Sequence, residues 1–315
     1  MISLFDSRRK IISLILTIIT VTIAVLIVSY QIVLKFAYAS DNIYFGKSQF
    51  AVAKELRDEL IKMPGCTPVS FSTPDNLTLR GFLFTRDNAV GNVLICHGYK
   101  GAKEFMYGFL EIFKEFNLLL FDFRASGESD GKYITLGYHE YKDVLSAAKF
   151  LKASTPENLP FIIMGFSMGG GAALRAASLN PGFAQAYIID STYSDLRSMF
   201  VRGYTLRVGL PYYPFFPVIQ AMFHYYANCN IDEVNSVSAV RMINEPIMFI
   251  HSCDDNFITP DHSIRLYAHA QNELSRIWIG PKARHGFLHA YHPQPYRRKV
   301  MRFLRETIDI DTTKN

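Results

Sequence analysis

The feature that most constrains the fold of this chain is the pentapeptide Gly-Phe-Ser-Met-Gly at residues 165–169. The apolar run Pro160–Met164 before it indicates a buried strand, and the small residues of Gly170–Ala177 after it indicate a helix start. A serine between such a strand and helix lies on a sharp turn that holds its hydroxyl above the sheet. Glycines suit the flanking positions because the backbone there is strained and crowded. We therefore predict that Ser167 is a catalytic nucleophile; the alternative is a structural serine in a tight turn.

Four other segments are similar to those of a known superfamily: His97–Gly101, Leu118–Gly131, Asp190–Tyr193 and the loop around Asp255. Together with the serine pentapeptide, they make the chain resemble the α/β-hydrolases. The resemblance covers Cys66 to Glu306 and is closest to the serine-aminopeptidase-like and prolyl-oligopeptidase-like branch, which has membrane-anchored lipase and thioesterase relatives. It implies a mostly parallel eight-stranded sheet with helices on both faces and a small helical cap. The alternation of apolar runs and helical segments favours the same α/β architecture.

Three positions depart from the pattern of similar sequences. Ala125 stands where many relatives have glycine, Ser252 stands where His-Gly is common, and Thr259 intrudes before a proline. The last two predict an acid loop of altered shape. By the same resemblance, Asp122 and Arg124 are expected to form a structural pair in a turn and to take no part in catalysis.

A serine nucleophile needs a base, and the base needs an acid that orients it. The superfamily resemblance implies the chain order serine, acid, histidine. Asp254 and Asp255 follow the strand-like run Pro246–His251, where this fold places the acid. We favour Asp255 and interpret Asp254 as a solvated or turn-capping carboxylate. Asp190, at the end of the preceding predicted strand, is the reserve candidate.

The predicted base is His285, which lies in a loop directly after the last predicted strand. His289 and His292 are close in sequence but belong to the lead-in and start of the last helix. The resemblance also implies an oxyanion hole made of two backbone N–H groups, those of Tyr99 and Met168. His97 is interpreted as a structural hydrogen-bonding residue rather than a base.

Composition points away from several other classes of protein. The net charge is +5 without a long basic run, and the sequence has no P-loop or dinucleotide-binding glycine pattern. Its four cysteines are far apart and lack zinc-site spacing. We therefore expect no metal, no cofactor and no nucleic-acid partner. The expected partner is a small-molecule or lipid-like acyl substrate, and the oligomeric state stays open.

The N-terminal region predicts a membrane anchor. Ile11–Leu34 contains 24 residues without a charge, enough to cross a bilayer as one helix. Three basic residues precede it at positions 8–10, and only Lys35 follows directly. The positive-inside rule then puts the N-terminus in the cytoplasm and the rest on the extracytoplasmic side, in the periplasm or at the cell exterior. Ala37–Ala39 matches an A-x-A cleavage pattern, so a removable signal peptide is the alternative.

The predicted organisation is a cytoplasmic segment at 1–10, a transmembrane helix at 11–34, a linker and helix at 35–65, and a hydrolase domain at 66–315. A cap insertion is expected at about 194–244, where the alternation of strands and helices stops. The aromatic residues between Tyr204 and Tyr226 either pack as the cap's own core or form an apolar lid for an acyl chain or a membrane contact.

These features predict a membrane-anchored serine hydrolase that cleaves carboxylic esters or thioesters through a Ser-His-Asp triad and an acyl-enzyme. One alternative is an aminopeptidase-like peptidase of the same fold, because amides pass through a similar tetrahedral intermediate. A second is a catalytically inactive, membrane-tethered binding protein. Since all the candidate site residues follow the apolar segment, the sequence also predicts that a chain lacking residues 1–39 stays active.

Overall fold

The computed structural model describes residues 2–37, 47–308 and 310, with the backbone alone at 2–6, 47–50 and 203–208. Within these residues the strands are β1 Cys66–Ser72, β2 Thr78–Phe84, β3 Asn92–Cys96, β4 Asn117–Phe121, β5 Phe161–Phe166, β6 Ala186–Asp190, β7 Ile247–Ser252 and β8 Arg276–Gly280. The helices are α1 Ile2–Phe36, α2 Lys47–Leu60, α3 Phe109–Ile112, α4 Glu140–Ser154, α5 Met168–Leu179, α6 Leu196–Val208, α7 Tyr212–Ala227, α8 Ser236–Val240, α9 Asp261–Tyr267, α10 Leu288–Tyr291 and α11 Pro293–Thr307.

All eight strands belong to one sheet in the order β1-β2-β4-β3-β5-β6-β7-β8. The pairs β1–β2 and β2–β4 are antiparallel, and the remaining neighbours are parallel. The central strands are apolar and buried along their whole length, as expected for parallel strands covered on both faces. The mostly parallel eight-stranded sheet predicted from the sequence is confirmed.

Two hydrophobic clusters cover the two faces of this sheet. One contains buried residues of α4, α5 and the cap, and the other contains buried residues of α3 and α11. The parallel arrangement brings the carboxyl ends of β3, β5, β7 and β8 to one edge. The loops that leave this edge carry all the predicted site residues, so the sheet topology determines where the site forms.

The segment between β6 and β7 is helical and forms the cap. Phe216, Ile219 and Phe223 of α7 are fully buried, and the Phe223 ring lies 5.5 Å from that of Phe200. These side chains are the core of the cap, as one of the two sequence interpretations expected. The side chain of Tyr204 lies outside the described residues.

Helix α1 is long and apolar enough to cross a membrane between Ser7 and Phe36. It continues beyond the predicted span, because Lys35 and Phe36 extend the helix where a linker was expected. The last turns of α1 lie within the hydrolase core: Val33 is 2% exposed and Ala37 is fully buried. Most of the predicted linker, residues 38–46, and part of the A-x-A pattern lie outside the described residues.

A buried lysine ties together two of the loops at the carboxyl edge of the sheet. The Lys103 ammonium contacts Asp122 at 2.7 Å, Glu104 at 2.9 Å and Glu128 at 2.9 Å. The Lys103 backbone N–H also donates to Asp122, at 2.8 Å. Glu128 in turn pairs with Arg57 of α2. The loop after β4 therefore holds the loop after β3 in place.

Asp122 and Arg124 do not pair with each other, contrary to the sequence-based expectation. The Arg124 guanidinium binds Asp143 at 2.7 Å and Asp75 at 2.8 Å, whereas Asp122 binds Lys103. The chain leaves the extended conformation after β4 and enters a turn at Arg124, so the two side chains reach different partners. Arg124 thereby fastens the β1–β2 turn to α4.

Replacing Lys103 with Met should lower the free energy of unfolding by about 3–5 kcal/mol, because it leaves buried carboxylates without a counter-charge. Lys114, whose side chain is 54% exposed beside Glu111, provides the matched control. Lys114→Met should change the unfolding free energy by less than about 1 kcal/mol. Chemical unfolding in detergent measures both values, and equal effects of the two substitutions would contradict a structural role for the Lys103 cluster.

Candidate active site

Ser167 lies on a strained turn between β5 and α5. Its φ of 48° and ψ of −115° are unusual for a residue with a side chain, and its N–H donates to the Asp190 carbonyl at 2.9 Å. A Cβ at Gly165 would lie 2.6 Å from the backbone of the helix start, and one at Gly169 would lie 2.3 Å from the Cys96 carbonyl. The predicted need for glycine at both positions is therefore explained by close backbone approach.

Three side chains from different loops meet at this turn. The distance from Ser167 Oγ to His285 Nε2 is 3.0 Å, and that from His285 Nδ1 to Asp255 Oδ2 is 2.6 Å. In this arrangement Nδ1–H donates to the carboxylate, which leaves Nε2 free to accept the serine proton. The structure thus brings together the three residues that the sequence predicted as nucleophile, base and acid.

Asp255 is buried yet held in its ionised form. Burial alone raises the pKa of this carboxyl, but hydrogen bonds from His251 and His285 outweigh it, so the pKa of Asp255 lies well below its ordinary value. The other carboxylate oxygen accepts the backbone N–H groups of Phe257 and Ile258 at 2.9 and 3.0 Å. These bonds fix the carboxylate in one orientation, with Oδ2 turned toward His285.

The other candidate acids and bases have different surroundings. The Asp254 side chain is 41% exposed and lies 3.3 Å from Lys282. Asp190 accepts hydrogen bonds from the Tyr296 and Ser191 hydroxyls, at 2.7 and 2.8 Å. Neither carboxylate contacts a histidine in the part of the chain that the structure describes.

The two other histidines near the C-terminus are not part of this arrangement. His289 is packed 4.4 Å from the Phe109 ring, and burial lowers its pKa to about 4. His292 Nε2 lies 3.1 Å from the Lys282 carbonyl, to which it donates. Both have structural surroundings, as their sequence positions predicted.

Ser252, which stands where His-Gly is common in similar sequences, has a positioning role. Its hydroxyl donates to the Ala283 carbonyl and accepts the Ala283 N–H, both at 2.8 Å. It also accepts the Asp254 N–H at 3.2 Å. Ser252 therefore joins the acid loop to the loop that carries His285, a contact that the sequence comparison with similar hydrolases did not anticipate.

His251 is a site residue that the sequence analysis missed. Its Nε2 lies 2.8 Å from the Ile258 carbonyl and 3.2 Å from Asp255 Oδ2, and because both oxygens are acceptors, Nε2 carries a proton. Its Nδ1 lies 2.7 Å from the Ser263 hydroxyl. The ring is fully buried. The sequence feature that could have predicted this contact is a single histidine near the end of an apolar strand, four residues before the predicted acid.

The loop that carries Tyr99 comes close to Ser167, because a Cβ at Gly98 would lie 3.5 Å from the Ser167 Cβ. In the part of the chain that is described, the N–H groups of Tyr99 and Met168 make no hydrogen bond to a backbone carbonyl. The Tyr99 loop is shaped by His97, whose Nε2 accepts the Phe123 N–H at 3.0 Å and whose Nδ1 donates to the Gly98 carbonyl at 2.7 Å. Burial lowers the pKa of His97, which keeps it neutral and structural as predicted.

The end of α1 contacts this same loop. The Tyr99 hydroxyl donates to the Phe36 carbonyl at 2.8 Å, and Lys100 Nζ donates to the Lys35 carbonyl at 2.8 Å. The Phe36 ring is stacked on Tyr99 at 6.5 Å and lies 6.2 Å from Phe200 of the cap. The apolar N-terminal helix therefore bridges the predicted oxyanion loop and the cap.

Comparison with known proteins agrees with this fold. The sequence matches the prolyl oligopeptidase family over residues 116–311. It is 26% identical over 231 residues to the uncharacterized protein YqkD of Bacillus subtilis, which covers 72% of this chain and 75% of YqkD. The esterase PF2001 of Pyrococcus furiosus is similar with a TM-score of 0.64 and 26% identity, over 78% of this chain and 92% of the esterase. Est1E of Butyrivibrio proteoclasticus, solved with ferulic acid, has a TM-score of 0.59 at 18% identity over 76% of this chain and 99% of its own, which shows the fold alone.

The fold and these similarities define a serine hydrolase of the α/β-hydrolase superfamily. Within that superfamily, the chain belongs to the prolyl oligopeptidase family, whose match covers more than half of its length.

Asp255→Asn should lower kcat by at least about a hundredfold, because the amide no longer holds the His285 tautomer or its developing charge. Asp254→Asn is the matched control and should change kcat by less than about threefold, since its carboxylate is exposed to solvent. Steady-state hydrolysis of a chromogenic ester measures both. A larger loss for the Asp254 variant would mean that the acid loop was assigned one residue out of register.

Removing residues 1–37 should destabilise the hydrolase, which differs from the sequence-based expectation that a chain lacking residues 1–39 stays active. Loss of Ile32, Val33 and Phe36 uncovers apolar surface on the cap and on Tyr99. This exposure should lower the free energy of unfolding by about 3 kcal/mol or more. A chain lacking only residues 1–24 keeps these contacts and is the control. Thermal unfolding and ester hydrolysis in detergent compare the two, and equal stability would show that the end of α1 contributes nothing.

Proposed function

We propose that this protein is a membrane-anchored esterase or thioesterase that acts by acyl transfer through Ser167, His285 and Asp255. The proposal depends on one observation, the continuous hydrogen-bonded chain from Ser167 through His285 to the buried Asp255. A hydroxyl is a weak nucleophile, and this arrangement supplies the base that activates it and the acid that orients the base.

Each residue has a defined step in the reaction. Ser167 Oγ attacks the acyl carbonyl while its proton passes to His285 Nε2, and Asp255 stabilises the imidazolium that forms. The N–H groups of Tyr99 and Met168 stabilise the oxyanion. His285 then returns the proton to the leaving alcohol or thiol, and water releases the acyl group from Ser167 by the same route in reverse.

An ester or thioester is favoured over a peptide. The similar Pyrococcus furiosus protein is an esterase, and it aligns over most of both chains. The family name supports the second candidate, an aminopeptidase-like peptidase, because the same triad cleaves amides. The two differ in the leaving group, which an assay with matched ester and aminoacyl amide substrates distinguishes.

The anchor is helix α1. Its exposed apolar side chains begin at Ile11, directly after three basic residues, and no lipid-exposed charge follows before Lys35. The positive-inside rule then places the catalytic domain on the extracytoplasmic side. The burial of Ala37 favours an uncleaved anchor, because cleavage after residue 39 would remove part of the hydrolase core.

Ser167→Ala and His285→Ala should each lower kcat on esters by roughly a thousandfold or more, and the double variant should be little worse, because the residues act as a unit. A fluorophosphonate that cannot cross membranes, added to intact cells, should label the wild-type protein and not the Ser167 variant. A membrane-permeant form of the same probe is the control, because it reaches the site on either side of the membrane.

Absence of labelling by both forms of the probe would favour the inactive binding protein. Labelling by the permeant form alone would place the site in the cytoplasm and overturn the orientation. Faster cleavage of aminoacyl amides than of matched esters would favour the peptidase.

A further inference from the structure

The outer helix of the cap has one basic residue, His224, in its last turn. α7 contains no Asp, Glu, Lys or Arg, although part of its surface is exposed. The exposed residues along one side are Pro214, Pro217, Ala221, His224 and Tyr225. Tyr225 is 81% exposed, so its ring is outside the cap core. A helix at the surface of a water-soluble protein normally presents polar and charged residues on its outer face.

The C-terminal helix of the same chain provides a direct contrast. α11 has a buried apolar face and an exposed face. The exposed residues of its last three turns are Arg298, Lys299, Arg302, Arg305 and Glu306. This chain therefore places charges on a helix that faces water, and their absence from α7 indicates a different surrounding.

Helix geometry places the membrane boundary beside α7. A hydrocarbon core of about 30 Å accommodates about 20 residues at a rise of 1.5 Å each. If the apolar core begins at Ile11, the first residue after the basic cluster, its far boundary falls near Tyr30. A tilt of about 20° moves this boundary by roughly one residue.

The cap covers one side of α1 on the bilayer side of that boundary. Val25 is 9% exposed and Ser29 is fully buried, whereas Leu26 and Ile27 on the other side of the helix are exposed. α1 packs mainly against α7. The distance from Val25 to Tyr30 along the helix is about 7 Å, which matches the depth to which interfacial amphipathic helices are buried.

Tyrosines cluster where the two helices meet at the boundary. The Tyr30 and Tyr226 rings lie 5.7 Å apart, and the Tyr226 and Tyr225 rings lie 5.0 Å apart. Tyrosine is enriched at the membrane–water interface because its ring is apolar and its hydroxyl is polar. The sequence analysis offered two interpretations of the cap aromatic residues, a core of the cap or a membrane contact. The tyrosines at this end of α7 fit the second interpretation, whereas Phe216 and Phe223 form the cap core.

We propose that the outer face of α7, which consists of Pro214, Pro217, Ala221, His224 and Tyr225 and lacks Asp, Glu, Lys and Arg, lies in the bilayer interface beside α1 and docks the cap onto the membrane. The proposal rests on the anchoring of α1 under the proposed function. Its occupant is the lipid leaflet that surrounds the far end of α1, because α7 packs against α1 and their tyrosines meet at the expected boundary. The cap over the active site is thereby a second membrane contact rather than a water-exposed lid.

Quenching of tryptophan fluorescence by brominated phospholipid tests this placement. The chain has one tryptophan, Trp278, so Trp278→Phe provides a background for a single reporter. In that background, Tyr225→Trp should lose at least about half of its emission in vesicles of phosphatidylcholine brominated near the ester carbonyls, because its ring would lie at that depth. The substitution is at an exposed position, and ester hydrolysis checks that the variant is folded.

Two further reporters distinguish the possible outcomes. Leu16→Trp, in the middle of α1, should be quenched by lipid brominated along the acyl chain, and Tyr291→Trp, at a position 54% exposed on α10, should be quenched by neither lipid. Quenching at residue 16 with none at residue 225 would overturn the docking of α7 and leave the anchor intact. No quenching at either would overturn both. A reporter at 225 that is shielded from aqueous iodide but not quenched by lipid would indicate a second copy of the chain on this face and also overturn the proposal.

Discussion

The structure depends on the close approach of α5 to the ends of β3 and β5. Gly169 lies so near the Cys96 carbonyl that no Cβ fits, and the turn before it holds Ser167 at a positive φ. This approach is possible because Met168, the first residue of α5, is followed by three glycines and two alanines. It places the serine hydroxyl at the carboxyl edge of the sheet, where the loops after β7 and β8 also end.

Polar contacts between loops, more than apolar packing, bring the remaining groups to that serine. Ser252 joins the acid loop to the histidine loop, and two backbone N–H groups orient Asp255. Lys103 joins the loops after β3 and β4 beneath the predicted oxyanion donor. Such bonds are directional, so they define distances of about 3 Å that a hydrophobic contact would leave variable.

The sequence predicted most of what is encoded locally. Apolar runs located the eight strands, and the strand, serine turn and helix located Ser167. What it missed depends on contacts between distant segments. The partners of Lys103 and Arg124 lie up to 49 residues away. No periodicity or local motif encodes such partners, because they follow from which loops the sheet order brings together.

The same reasoning changes how the N-terminal helix is understood. By composition, the segment Ile11–Leu34 is an anchor that could be removed without consequence for the enzyme. In the structure the last turns of α1 pack into the hydrolase, since Phe36 contacts both Tyr99 and Phe200. The predicted oxyanion loop and the cap are therefore joined through the helix. Because Phe36 is six residues beyond Tyr30, the Tyr99 contact lies only about 9 Å along the helix from the expected hydrocarbon boundary. Under the proposed anchoring, one element sets both the attachment of this serine hydrolase and the distance of its predicted oxyanion loop from the membrane.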